Sequence, residues 1–143
     1  MKFTRRLSCA ASLVTLLGLL GLLGLLASAA ARADGFIIAH PGTNISAEDI
    51  RDIYLGEKQF AGAVMLVPVD NAVAQPEFLS KIVKLDATKY ATAWTKKNFR
   101  DGINRPPVRS GDPDTVAYVR QTPGAIGYVS ASPPGNVRLI QRY

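Results

Sequence analysis

"VAYVRQTPGAIGYV", residues 116 to 129, passes from an apolar-striped helix through a turn into an apolar strand. Val116 and Val119 face inward on a helix opening at Asp112, read as the N-cap, with Pro113 in the first position, where a missing N–H costs little. Pro123 cannot continue that helix, and Gly124 is expected to close it in a left-handed cap. "AIGYVS" then reads as a strand in which Gly127 lets the backbone approach a neighbour that a side chain would strike. A helix handed to an apolar strand by so short a turn points to α/β architecture.

The flanking segments extend that pattern. "GFIIAHP" (35 to 41) reads as a buried first strand. Ser46 and Asp49 have the spacing of a capping box before a short helix with Ile50, Ile53 and Tyr54 on one face, stopped by Gly56. "AVMLVPVD" (63 to 70) fits a strand covered on both faces, with Pro68 placing it near an edge. Pro76 opens a helix whose stripe is Phe78, Leu79, Ile82 and Val83, and a third helix covers about 86 to 99. Trp94 and Phe99 read as core. "RDGINRPPVRSGDP" (100 to 113) is expected to hold no regular element, and "NVRLIQ" is a last strand. The expected fold class is α/β, a small mixed sheet covered by helices.

Upstream, Lys2, Arg5 and Arg6 precede a Leu/Ala/Gly stretch from about residue 7 to 30, and "ARAD" offers cleavage after Ala33. Residues 1 to 33 therefore read as an export signal, residues 34 to 143 as a single domain, and the location as periplasmic. A retained membrane anchor is the alternative, because the apolar stretch is near spanning length. The only cysteine, Cys9, lies in that leader, so the domain forms no disulfide. Four of the 17 basic residues also fall there, and the remainder exceed the 11 acidic ones by two. That weak charge, with export, argues against nucleic acid as a partner.

The run at 116 to 129 resembles the helix-turn-strand of phosphate-type substrate-binding proteins of ABC transporters. "SAEDIRDIYLGEKQF" (46 to 60) is similar to their "DIYLGK" helix and turn, and "KYATAWTKKNF" (89 to 99) to their Trp-containing helix. The resemblance spans nearly all of residues 34 to 143 and implies a single periplasmic-binding-protein-like lobe, where a full receptor has two.

In phosphate-binding relatives an arginine and a Ser-Gly-Thr turn follow the second strand and supply the donors a buried phosphate requires. Here Val69 falls near the arginine position and Ala72, Val73 and Ala74 occupy the hydroxyl turn. Pro76 removes an N–H, and Glu77 adds negative charge. The resemblance thus implies a degraded phosphate site. Asp70, Asn71 and Gln75, with Ala72 and Val73 between them, remain as a candidate ligand-binding turn for a neutral or cationic solute, beside the plainer reading of an Asx turn. Lys96, Lys97, Arg100, Arg105, Arg109 and Ser110 form a candidate anion patch, beside the reading of a solvated face.

Catalysis is not expected. The domain has no cysteine and a single histidine, His40, read as a packed or capping residue. One histidine with scattered carboxylates falls short of a zinc site, and no metal or cofactor is implied. Asp49 and Asp52 share a helix face but read as solvated. Two functions stay open. One is an exported solute-binding-like module taking phosphate or another small solute. The other is a periplasmic interaction or structural module that contacts itself, an envelope protein or an ABC permease through "DNAVAQP" and the loop at 105 to 113.

Overall fold

The computed structural model describes residues 34 to 143; the expected leader, with Cys9, lies outside the described residues. Strand β1 (Phe36–Ala39) is followed by a 3-10 turn, Ala47–Asp49, and helix α1 (Ile50–Tyr54). Four two-residue strands come next: β2 (Phe60–Ala61), β3 (Val64–Met65), β4 (Val67–Pro68) and β5 (Asp70–Asn71). Helix α2 (Gln75–Phe78) runs into a π-helical turn, Leu79–Val83, and α3 covers Ala87–Asp101. Then come β6 (Val108–Arg109), α4 (Asp112–Gln121), β7 (Ala125–Val129) and β8 (Arg138–Arg142).

The main sheet has the order β4-β7-β1-β8. β1 is antiparallel to both neighbours, and β4 joins β7 in parallel, so the sheet is mixed. Alternation along the strands sorts the core into two layers. Ile37, Ala39, Ile126 and Tyr128 pack with Tyr54, Phe78, Tyr90 and Trp94 from α1, α2 and α3. Ile38, Ala125 and Val129 pack with Val119 of α4 on the opposite face. The expected α/β lobe is therefore present, and residues 34 to 143 fall within one unit, Ala33–Tyr143.

Several local expectations change. The run 63 to 70 is three strands, not one covered on both faces. Val64–Met65 turns back on Phe60–Ala61, Val67–Pro68 takes the sheet edge, and Asp70–Asn71 leaves to pair with Val108–Arg109. That last pairing also puts a strand inside the loop expected to be irregular, because a two-residue parallel bridge needs no hydrophobic period. Gly111, not Asp112, caps α4; the Asp112 carboxylate instead serves the loop after β7. Helix α4 ends at Thr122 in an extended conformation, so Gly124 (φ +82°) is not its cap. Gly124 is needed because a Cβ there would stand 2.1 Å from the Met65 carbonyl oxygen. Phe99 is 94% exposed and does not join the core.

Other readings match the structure. The Asp49 carboxylate accepts from the Ser46 N–H at 3.1 Å, and His40 Nδ1 accepts from the Gly42 N–H at 3.1 Å. Gly127 carries α4: a Cβ there would meet Thr115 Cγ2 at 2.7 Å and Val119 Cγ2 at 3.0 Å.

Candidate functional site

The end of the β4–β5 segment turns Asp70 into the interior, where the side chain is fully buried. Tyr128, on β7, donates its hydroxyl to Asp70 Oδ1 at 2.8 Å, and Tyr90, on α3, donates to Oδ2 at 3.2 Å. Arg105 brings Nε to 3.6 Å from Oδ2, and its guanidinium lies 5.1 Å from the Tyr90 ring centroid. Burial pushes the Asp70 carboxyl up; the Tyr128 hydrogen bond, the Arg105 charge and the Tyr90 hydrogen bond hold that rise in check. Burial, and the Asp70 charge beside them, push both tyrosines up as well, so they stay neutral donors.

Asn71 does the work of an Asx turn. Its Oδ1 accepts from the N–H groups of Val73 (3.0 Å) and Ala74 (3.4 Å), and its Nδ2 donates to Asp112 Oδ1 (2.7 Å) and the Tyr128 carbonyl (3.0 Å). Asp112 also accepts from the Ser130 N–H and hydroxyl and from the Ala131 N–H. Burial alone would push this carboxyl up, but the Ser130, Asn71 and Ala131 donors prevail and hold it below the usual range.

The ligand-binding turn nominated from the sequence is thus occupied by the fold. Asp70 and Asn71 are buried and bonded internally, the Ala72 N–H donates to the Arg109 carbonyl at 2.9 Å, and Val73 points outward, 66% exposed. Gln75 is partly buried; its side chain helps hold the Asp70 carboxyl down, although its enclosed Nε2 makes no hydrogen bond of ordinary length among the described residues.

The six residues of the anion patch do not converge. Lys96, Lys97 and Arg100 border one depression beside Leu55 and Leu85, where Lys97 pairs with Glu57 at 2.7 Å and Arg100 forks onto Asp101 at 2.8 Å. Arg109 lies over the Tyr118 ring at 4.0 Å and pairs with Asp114. Ser110 gives its N–H and hydroxyl to Asp114. Arg105 stands apart, over Tyr90.

Arg105 does border a feature the sequence reading missed, a cleft of about 460 Å³. Its floor is apolar, built from Ile53, Leu66, Pro68, Trp94, Ile103 and Pro106. Its charged lining is Lys58 and Arg105, with no acidic residue. Lys58 is paired with Asp49 at 2.8 Å. Two larger hollows, at the start of α2 and along α3, are more open to solvent. The cleft draws on four separated segments, so no single motif announces it. The one local signal is Trp94 at a helical spacing from Tyr90.

Among the described residues no group of three His, Cys, Asp or Glu side chains is placed to hold a metal ion, and no helix is long and apolar enough to cross a membrane. The chain matches no protein-family model and no curated protein. Its class is therefore defined by the structure, an α/β lobe in which helices cover both faces of a mixed four-stranded sheet, with a cation-rimmed apolar cleft at one side.

Proposed function

We propose that this chain is an exported, non-enzymatic binding module, a single-lobe relative of the phosphate-type substrate-binding proteins, that takes a small solute in the cleft beside Arg105 and not at the turn 70 to 75. One observation carries the reading: an apolar concavity of about 460 Å³ with an oriented guanidinium at its edge. Sites for small ligands are concavities of roughly 300–1,000 Å³, mostly apolar with a few placed polar groups. Phosphate at the turn is disfavoured because the buried Asp70 carboxylate lies where an anion would need donors, and Asn71 has spent its own on the fold.

Thermal unfolding of the purified protein against a panel of small solutes tests this. A true ligand at about 100 times its Kd stabilises by about 2.7 kcal/mol, a shift of several degrees. Asn104→Trp, which places a large ring at the exposed rim of the cleft, should abolish the shift.

The interaction reading keeps one observation in its favour. The β5–β6 bridge joins "DNAVAQP" to the 105 to 113 loop, and the outward Val73 (66%) and Val108 (55%) fall on the joined segments. A solute panel without effect, together with a concentration-dependent dimer lost in Val73→Glu, would transfer the function to self-contact at that face.

A further inference from the structure

We infer that the cleft selects an amphipathic anion, a small aliphatic or aromatic carboxylate, whose charged end is received by Arg105 and whose apolar body lies against Trp94. The inference rests on the solute-binding reading above and names its ligand class.

The charged end follows from how Arg105 is held. A guanidinium carries five N–H donors in a fixed fork. Its nearest approach to Asp70 is through Nε, at an ion-pair distance of 3.6 Å, and the ring of Tyr90 lies beside the guanidinium at 5.1 Å. The side chain keeps 38% of its exposure. The guanidinium makes no hydrogen bond among the described residues, so its fork is open to the two oxygens of a carboxylate. Asp70 and Tyr90 act as positioning residues, since they fix the fork without reaching the cleft lining.

The apolar body follows from the walls. Ile53, Leu66 and Trp94 are each nearly buried and present carbon to the cleft, with Pro68, Ile103 and Pro106 completing it. A strongly hydrated inorganic anion would leave this surface unused. A neutral hydrocarbon would leave the fork unused. Lys58 is paired with Asp49, so among the charged lining residues Arg105, held at the longer distance of 3.6 Å from Asp70, is the group left to meet a single negative charge.

Trp94 is the only tryptophan in the chain, so its fluorescence reports on the cleft directly. Titrations with hexanoate, hexanamide and inorganic phosphate separate the two halves of the recognition. Expected is a saturable change with hexanoate, at least tenfold weaker binding of hexanamide, and no displacement of hexanoate by phosphate. In Arg105→Gln the hexanoate affinity should fall at least tenfold while hexanamide is unaffected. Equal affinity for hexanoate and hexanamide would overturn the role of Arg105, and this comparison needs no variant. Displacement by phosphate would overturn the role of the apolar wall. Absence of hexanoate binding, alongside a solute of another class that stabilises the protein and is blocked by Asn104→Trp, would overturn this inference and leave the solute-binding reading intact. Failure of every solute would overturn both.

Discussion

The fully buried Asp70 and the partly buried Asp112 are shifted in opposite directions, and their partners explain why. Asp70 receives two tyrosine hydroxyls and one guanidinium, but burial still pushes it above the usual carboxylate range. Asp112 receives four N–H or O–H donors, and these overcome its burial. A raised folded-state value means the native state holds a proton the unfolded chain has released. The stabilisation tied to Asp70 is therefore complete below about pH 4 and is lost as pH rises through its elevated value. Asp112 works the other way: its contribution is present above about pH 4 and is lost as pH falls through its depressed value. Chemical denaturation across pH 3 to 8 should show Asp70→Asn abolishing the decline on the alkaline side of that range. Asp112→Asn should abolish the decline on the acid side. A wild-type profile unchanged in shape by either substitution would contradict these assignments.

Among the elements, the junction of α4 and β7 was the most legible, because its chemistry is local. Gly127 is the residue that lets Thr115 and Val119 lie on the strand, and Gly127→Ala should cost about 1–3 kcal/mol through overpacking, read as a lowered denaturation midpoint. A midpoint unchanged within error would mean that α4 can shift away without loss. The strand at 63 to 70 was less legible because the valine-rich pattern shows hydrophobicity and not pairing partners. What divides it is backbone geometry elsewhere: Gly124 sits under the Met65 carbonyl, and the Pro107 carbonyl accepts from the Asp70 N–H at 2.9 Å. Phe99 misled for a related reason. It sits at helical spacing near the end of α3, but its side chain faces solvent, and an exposed aromatic has the same local pattern as a buried one. The outer strand β8 is guarded by Arg138 and Arg142, whose charges discourage edge-to-edge pairing.

At the level of the whole molecule, the fold class was readable from element order, whereas the candidate site was not. Asp70 and Asn71 stood out in the sequence as polar residues at a turn, but only the folded chain shows that Tyr90, Tyr128, Arg105 and Asp112 converge on them from 20 to 58 positions away in sequence. The turn nominated from the sequence as a ligand site is a structural joint tying β5 to β7, α3 and α4. The proposal places binding in the cleft beside Arg105 instead. Calorimetric titration of the purified protein with phosphate, at low ionic strength and again with added salt, tests that proposal most directly. The account predicts no saturable heat in salt, with any weak low-salt signal screened away. Saturable phosphate binding that persists in salt would contradict it, because the turn at 70 to 75 would then have to offer donors that the fold has already used.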